Sequence, residues 1–356
     1  MSQLDAAENY EFGGGGALVV GKDSALKSQL KGRFLGALAG GAIGDAMGFP
    51  YEGASRAFMS GLGDSVTERF CRHRSGYYQL GHTSDDTLLG LETARSVLES
   101  QGFDASALAH RLVRVWRDHR LMRRSGATAA ALQRIADGSA DWQSSGAEFD
   151  GSEGAGAAVR AIAIGLWHYD DEDRLQADTR LATRMTQMDT QTVAAAVATA
   201  RAVAFNLTHA EIIFGDFLDS IARASAPYSE IVAAEIHRLP YYLSVKEEDA
   251  LEAMTRVGSQ VRNTDNNRTA PRAALPTLMV ALYYFLRTPI DFVSTVRGCL
   301  MAGGSVTTTT AIAGGLSGAF NGPQAMPAAL FATLPQRQSI TQLADDLYYL
   351  KQRCQK

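Results

Sequence analysis

The hydroxyl and carboxylate residues Ser84, Asp85 and Asp86 form the most distinctive chemical pattern in the sequence. They follow Gly81-His82-Thr83 and precede an apolar segment that begins at Leu88. Three hard oxygen donors in a row suit Mg²⁺, Mn²⁺ or Ca²⁺ better than zinc. The same residues also suit a helix start, where Ser84 or Asp85 would cap free backbone N–H groups. Capping and metal ligation are compatible, so both interpretations stay open.

Two further segments are candidates for chemistry. Glu52 follows a glycine-rich apolar stretch and precedes Gly53, and a loop glutamate of this kind is often merely solvated. The small residues of 154–160 open a predicted helix, whose free backbone N–H groups could bind a diphosphate. Their spacing is not that of a dinucleotide-binding motif and no strand precedes them, so this second signal is weak by itself.

Helices must position these candidates, because apolar residues recur at steps of three and four over most of the chain. The windows with this spacing are 85–99, 105–117, 190–206, 214–224, 273–286, 290–301 and 339–353. Alternating strand patterns are nearly absent, and no repeat period or low-complexity linker follows residue 30. We predict an all-α fold, a single compact multi-helix domain over residues 29–356. The Ser-, Gly- and Asp-rich segment 140–155 is predicted to be its main interior loop.

Glycines recur every four residues in two of the helical segments. They are Gly36, Gly40, Gly44 and Gly48 near one end of the chain, and Gly314, Gly318 and Gly322 near the other. On a helix this spacing lays the glycines along one face, where another backbone can approach closely. An interior glycine costs about 1 kcal/mol relative to alanine, so tight packing must offset that cost. We predict two helices that cross closely in the core.

Composition excludes several classes of protein. The 356 residues include 34 Lys and Arg against 38 Asp and Glu, a net charge of −4 that argues against a nucleic-acid or membrane partner. No apolar run approaches the roughly 20 residues of a spanning helix. Three cysteines without metal or disulfide spacing predict free thiols. The acidic start lacks a secretory signal, so we expect a cytoplasmic protein with a flexible arm over residues 1–28.

Taken together and in this order, the motifs resemble the ADP-ribosylglycohydrolase family, of the dinitrogenase-reductase-activating and ADP-ribosylarginine hydrolase type. Any one of them is common, whereas the ordered set is specific. The matching segments are 32–48, Glu52, 84–87, 126–128, 154–160 with 164–167, 303–304 and 311–314.

The resemblance implies a fold, an activity and a set of site residues. The family fold is a single, mostly orthogonal helical bundle around a cleft with two Mg²⁺ or Mn²⁺ ions. Its enzymes hydrolyse the glycosidic bond between ADP-ribose and a protein side chain. A monomer is the default state. By resemblance, Glu52, Asp85 and Asp86 would be catalytic. The metal ligands would be Ser84, Asp85, Asp86, Ser305, Thr307 and Thr308, and the substrate-binding residues Gly154, Ala155, Gly156, Ala157, Arg160, Gln187 and Gly304.

The sequence departs from the family pattern at its last metal motif. Relatives have Gly-Gly-Asp-x-Asp-Thr, whereas residues 303–308 place Ser305 and Thr307 where the two carboxylates belong. Glu52, Asp85 and Asp86 supply at most three negative charges, too few to balance two divalent cations. We expect one Mg²⁺ or Mn²⁺ ion at most, or weak binding.

Other positions modify the expected binding surface. Gln187 stands where many relatives have histidine, so it keeps hydrogen bonding but loses imidazole stacking and titration. His82 beside the acids suits a structural role better than acid–base chemistry. Aromatic residues that could stack on adenine, or simply pack at the cleft rim, are Phe49, Tyr51, Tyr77 and Tyr78.

Two functions remain open at this point. In the first, the chain hydrolyses ADP-ribosyl groups from protein side chains with a reduced metal site and compromised catalysis. In the second, it is an inactive relative that binds ADP-ribose, an ADP-ribosylated protein or an ADP-ribosyltransferase, as an immunity or regulatory protein. Retention of Glu52, Asp85 and Asp86 favours the first, and the neutral residues Ser305 and Thr307 favour the second.

Overall fold

The computed structural model describes residues 23–122, 126–148, 154–257 and 273–355. Most of the predicted arm, residues 1–22, lies outside these ranges. The first helix begins at Asp23, five residues before the predicted end of the arm. In the described part of the chain the structure is helical with no strand, and the only bridge there is an isolated one between Ala147 and Gln187. The all-α prediction is confirmed.

The helices follow one another with short connections. The first nine are α1 (Asp23–Gly48), α2 (Arg56–Ser60), α3 (Asp85–Glu99), α4 (Ala105–Arg117), α5 (Ala127–Asp137), α6 (Gly156–Trp167), α7 (Glu172–Arg184), α8 (Thr190–Thr208) and α9 (Phe214–Ser225). The remainder are α10 (Glu230–His237), α11 (Leu239–Ser244), α12 (Glu247–Arg256), α13 (Ala274–Arg287), α14 (Phe292–Ala302), α15 (Val306–Asn321), α16 (Ala328–Thr333) and α17 (Arg337–Cys354). Short 3₁₀ turns occupy Phe49–Tyr51, Asp64–Thr67 and Pro323–Ala325.

Local sequence signals explain where many of these helices begin. A serine or aspartate at the preceding position accepts a hydrogen bond from a backbone N–H of the first turn, which satisfies one of its free donors. The residues that cap in this way include Ser84, Asp104, Asp171, Asp189, Ser229 and Asp291. The helical windows read from the sequence match α3, α4, α8, α9, α13, α14 and α17 to within a few residues, whether or not the helix has such a cap.

Helices α1 and α15 cross at the two glycine-rich faces, as predicted. A Cβ added at Gly36 would lie 2.1 Å from the carbonyl oxygen of Gly318, and one at Gly40 would lie 2.3 Å from that of Gly314. No side chain larger than hydrogen fits at such a separation. Gly44 meets the Thr310 carbonyl in the same way, at 2.0 Å. We call this backbone-to-backbone contact the glycine seam.

The remaining helices pack around the seam. Helix α15 is buried from Val306 to Phe320, and α6 packs against both α3 and α8. The seam fixes the end of α1 beside the start of α15, and α3 and α6 begin next to them. Among the described helices, none is long and apolar enough to cross a membrane. The architecture thus gathers one helix end and three helix starts at one place.

Candidate functional site

A cavity of about 330 Å³ opens where α1 ends and where α3, α6 and α15 begin. Twelve of the fourteen predicted site residues line it, although they come from five separate stretches of sequence. They are Glu52, Ser84, Asp85, Asp86, Gly154, Ala155, Gly156, Arg160, Gln187, Ser305, Thr307 and Thr308. The structure therefore brings the predicted metal-ligating, catalytic and substrate-binding groups together in one cleft.

Asp45, near the end of α1, fixes the start of α3. Ser84 donates its backbone N–H and its hydroxyl to the Asp45 carboxylate, each over 3.0 Å. Thr87 donates its backbone N–H over 3.1 Å and its hydroxyl as well. Complete burial, reinforced by the charge of Asp86, raises the pKa of Asp45 to about 7. No local pattern in the sequence shows that Asp45 holds the Ser84 turn.

The two cavity carboxylates of α3 are held by different donors. Asp85 Oδ1 accepts the backbone N–H of Met122 over 2.8 Å, and Asp86 Oδ2 accepts the Thr308 hydroxyl over 2.6 Å. Ser84 accepts the backbone N–H of Asp86 over 3.1 Å, so its predicted capping role is confirmed. The Met122 N–H and the Thr308 hydroxyl therefore occupy directions from which a cation would approach these two carboxylates.

Glu52 lies at the start of α15. Its Oε2 accepts the backbone N–H of Thr307 over 3.0 Å, where the helix dipole favours a negative charge. The adjoining residues pair with the turn that precedes α15. Gly53 donates to the Gly304 carbonyl over 2.9 Å, and Gly304 donates to the Ala54 carbonyl over 2.8 Å. The Glu52 loop is therefore fastened to the 303–308 turn through its backbone.

The residues at the altered motif do not fit a two-cation centre. Ser305 and Thr307 are 2% and 4% exposed, and both are neutral. The Thr307 hydroxyl is buried without a hydrogen-bond partner. Within the described ranges, no three His, Cys, Asp or Glu side chains lie together so that they could hold a metal ion. Two divalent cations would need more carboxylates than this cavity provides.

The far side of the cavity is built around Arg160. Its side chain is 1% exposed, and it donates to the Thr186 hydroxyl and to Gln187 Oε1, the latter over 3.5 Å. Gln187 Nε2 donates to the Thr128 hydroxyl over 3.1 Å. Burial lowers the pKa of Arg160 to about 10, against the opposing effect of Asp86, so the guanidinium stays charged at neutral pH. A buried cation beside a helix start suits an anionic ligand.

Four rings form a wall beside Glu52, which we call the ring wall: Phe49, His73, Tyr78 and His82. Phe49 stacks on His73 with centroids 4.8 Å apart, and Tyr78 stacks on His82 at 4.9 Å. Burial lowers the pKa of both histidines. Neutral rings in mutual contact suit packing and stacking better than proton transfer. The predicted structural role of His82 agrees with this arrangement.

Two predicted substrate-binding residues do not line the cavity. Ala157 is 2% exposed inside the first turn of α6, and Gly304 uses both its backbone N–H and its carbonyl to hold the Glu52 loop.

Sequence reasoning also missed residues that do line the cavity. Thr128 lay within a quoted motif and could have been found, whereas His73 and Arg74 lie in a loop without periodicity.

Comparisons with known proteins identify the family of this chain. A family model described as ADP-ribosylglycohydrolase matches residues 26–356. An uncharacterized protein of Archaeoglobus fulgidus is 27% identical, over 90% of this chain and 97% of its own length. ADP-ribosylhydrolase ARH3 of Gallus gallus is 24% identical, over 89% and 93%. A solved structure titled ADP-ribosylglycohydrolase-related protein complex has a TM-score of 0.71 at 25% identity, covering 91% of this chain and 99% of that one. The chain belongs to the ADP-ribosylglycohydrolase family.

Proposed function

We propose that this chain binds the ADP-ribosyl group of a modified protein side chain in the cleft and hydrolyses its glycosidic bond slowly. One observation carries the proposal: a single cavity joins the carboxylates of Glu52, Asp85 and Asp86 to the buried cation of Arg160. The carboxylates suit the sugar end of the ligand. The cation and the start of α6 suit its diphosphate.

The end of the cavity around Arg160 would bind the diphosphate through groups that are already held in position. Arg160 offers charge, and Gln187 and Thr128 are positioned by their mutual hydrogen bond. At the start of α6 the backbone N–H groups of Ala157 and Ala158 already donate to the Gly154 and Ala155 carbonyls, so this helix start contributes mainly the positive end of its dipole. Gly154, with φ of +156°, lets the chain enter this turn close to Thr192. Little reordering is needed when a diphosphate binds.

Glu52 is our candidate for the general base. Its carboxylate would accept a proton from the water that attacks C1″ of the ribose as the bond from C1″ to the acceptor breaks, and Glu52 would then return this proton to the departing acceptor. The Thr307 N–H at the start of α15 orients the Glu52 carboxylate. Asp86, oriented by Thr308, lies ready to bind the ribose hydroxyls.

A single divalent cation remains our proposal for this cavity, because its lining offers fewer carboxylates than two cations need. We propose that Asp85 and Asp86 would hold a single Mg²⁺ or Mn²⁺, with the buried Thr307 hydroxyl as a neutral donor. When bound, the ion would supply positive charge for the ribose hydroxyls and for water. With two carboxylates replaced, its affinity should be low.

The replacement of both carboxylates also favours a second function, binding without hydrolysis. In that case the cleft would hold ADP-ribose on a partner protein, or an ADP-ribosyltransferase. Ser305 and Thr307 are buried at the cavity and neutral, so they cannot replace the charge of the family residues. A cytoplasmic location and a monomeric state remain predictions under both functions.

A restoration series separates the two functions. Ser305→Asp with Thr307→Asp returns the charge, and Ser305→Asn with Thr307→Asn is the matched control of equal size. Mg²⁺ and ADP-ribose affinities are measured by calorimetry, and ADP-ribose release is followed from an ADP-ribosylated protein. We expect native ADP-ribose binding, slow Glu52-dependent release, and at least tenfold tighter Mg²⁺ binding only in the Asp pair.

The outcomes are distinct. Binding with no release at any Mg²⁺ concentration supports the second function. Release that survives Glu52→Gln removes Glu52 from the chemistry. Equal Mg²⁺ affinity in the native and restored proteins contradicts our interpretation of Ser305 and Thr307. If the folded native chain does not bind ADP-ribose at all, both functions are wrong.

A further inference from the structure

The loop that leads to α3 forms one rim of the cleft, and we call residues 68–82 the rim loop. Phe70 anchors it in the core at 3% exposure, and Gly81 lies against the Phe70 ring. A tight turn sets its tip: Ser75 donates its backbone N–H to His73 Nδ1 over 3.2 Å, and Gly76 donates to the His73 carbonyl over 2.9 Å. The rim loop thus has a defined conformation.

The rim loop carries unneutralised positive charge. Arg69, Arg72 and Arg74 are exposed, and none of them has a side-chain hydrogen bond or ion pair with the part of the chain that the structure describes. Glu68 is the only acidic residue of the loop. Three guanidinium groups against one carboxylate stand out on a chain whose net charge is −4. Charges that stabilise nothing in the fold are available to a partner.

The position of these arginines connects them to the substrate. His73, Arg74 and Tyr78 line the cavity on the side of Phe49 and Glu52, the sugar end of the proposed ligand. A polypeptide that inserts a modified side chain there must run across the rim. An extended chain advances about 3.4 Å per residue, so positions two to four away from the modified residue lie about 7 to 14 Å from it.

Apolar and aromatic groups accompany the charge. Tyr77 is 91% exposed and Leu80 is 46% exposed, unusual values for large side chains on one short loop. Tyrosine and arginine are the residues enriched at protein–protein contacts, where they supply area and directed hydrogen bonds. A carboxylate can bind a guanidinium through two parallel hydrogen bonds. The combination matches an acidic polypeptide segment.

We infer that the rim loop binds the polypeptide segment that carries the ADP-ribosyl group, and that Arg69, Arg72 and Arg74 select segments with acidic flanking residues. The inference rests on the proposed function, because it concerns the acceptor of that ligand. A nucleic-acid acceptor fits less well, because three arginines cannot offset the repulsion between a long polyanion and an acidic protein.

The test compares two fluorescent peptides, each with ADP-ribose on one serine, flanked by glutamates or by lysines. Affinity is measured by anisotropy with the full chain at 50 mM salt, beside free ADP-ribose by calorimetry. We expect the acidic peptide to bind about tenfold more tightly than the basic one. Arg69→Glu with Arg72→Glu should reverse this preference and leave the affinity for free ADP-ribose unchanged.

Arg174→Glu is the matched control, because Arg174 lies on α7 with 74% of its side chain exposed. It should leave the peptide preference intact. At 500 mM salt the preference should shrink severalfold, since the charges are solvent-exposed.

Three results would overturn the inference while the proposed function stands. The first is a native chain that binds ADP-ribose but shows no preference between the peptides, and the second is a double variant that loses as much affinity for free ADP-ribose as for the acidic peptide. The third is a single-stranded oligonucleotide that competes as well as an acidic peptide of equal charge. Absence of ADP-ribose binding in the native chain refutes the proposed function instead.

Discussion

Asp86 illustrates how single atoms set the chemistry of the cleft. One of its carboxylate oxygens accepts the Thr308 hydroxyl over 2.6 Å. The other lies 2.6 Å from the place where a Cβ on Gly156 would be. The carboxylate is therefore confined between α15 and α6 before any ligand arrives. Glycine at 156 is needed here because of this close approach and not because of its own backbone angle.

Gly156→Ala should therefore impair the site without harming the fold. The added methyl group would displace the Asp86 carboxylate, so we expect ADP-ribose affinity or release to fall at least tenfold. Alanine also improves helix propensity by up to about 1 kcal/mol, so the free energy of unfolding should not decrease much. Calorimetry and urea unfolding measure the two effects separately.

Gly90→Ala is the control for that substitution. A Cβ at Gly90 would meet Val159 at ordinary contact distances of 3.7 and 3.9 Å. This variant should keep native affinity. If Gly156→Ala binds ADP-ribose as the native chain does, the confinement of Asp86 has no functional importance.

At the scale of elements, the glycine seam determines how two distant parts of the chain meet. Helix α1 leads to Asp45 and Glu52, and α15 begins just after Ser305. The seam allows almost no separation between their backbones, so it sets how close Asp45 and the turns that carry Glu52 and Ser305 lie to one another.

Gly40→Ala should destabilise the protein, because the added methyl group would lie 2.3 Å from the Gly314 carbonyl oxygen. Overpacking of this kind typically costs about 1–3 kcal/mol, and here a backbone atom must move. Gly41→Ala is the neighbouring control, since its Cβ would meet Ala311 at 3.4 Å. Urea unfolding should show a loss only for the first variant. An equal response of both variants would contradict the close crossing.

An ion-pair cluster around Glu92 joins α3 to α4. This carboxylate is 2% exposed and pairs with Arg95, Arg111 and Arg120 at 3.0, 2.6 and 2.8 Å. Burial alone would raise the pKa of Glu92, but the hydrogen bond from Arg120 and the charges of the other arginines outweigh it, and the pKa is lowered from 4.5. The cluster anchors the segment that brings Met122 to Asp85.

Glu92→Gln should lower the free energy of unfolding by about 2–3 kcal/mol at pH 7, because it removes a buried carboxylate that pairs with three arginines at once. A lowered pKa in the folded state stabilises the protein above pH 4.5, and that contribution is lost as the pH falls through the folded value. The difference between native and variant should shrink as the pH falls below 4.5.

Urea unfolding at several pH values measures this trend. Glu99→Gln is the control, since Glu99 is 62% exposed on the same helix and should cost less than about 1 kcal/mol. If the difference in free energy of unfolding between native and Glu92→Gln grows toward low pH, the pKa of Glu92 is not lowered in the folded state.

For the whole molecule, a ligand that binds only the folded cleft must raise its thermal stability. At 100 times its dissociation constant, ADP-ribose should stabilise the fold by about 2.7 kcal/mol, a shift of about 5 °C in Tm for a domain of this size. A chelator should change the native Tm by less than 1 °C if metal binding is weak, as we propose. Scanning calorimetry with ADP-ribose and with EDTA checks both values.

Much of the cleft around Asp85 and Asp86 could be predicted from the sequence. Features set by local signals were predictable, whereas features set by packing between distant segments were not. Helix periodicity and capping residues are local signals, so elements such as α3 and α4 followed directly. The site residues followed from ordered motifs. The role of Asp45, the Glu92 cluster and the rim arginines depend on packing between distant segments, which no local pattern encodes. The placement of Ala157 failed because a motif does not say which side of a helix faces the cleft.

The glycine seam also bears on how this fold can change over time. The seam is made of backbone, and the residues that carry charge lie beyond its ends, on the turns around Glu52 and Ser305. Exchange of an acid for a hydroxyl on those turns alters reactivity and leaves the helix crossing untouched. The helix crossing and the composition of these turns are therefore separable in this chain, and two substitutions could restore the family's carboxylates without any new fold.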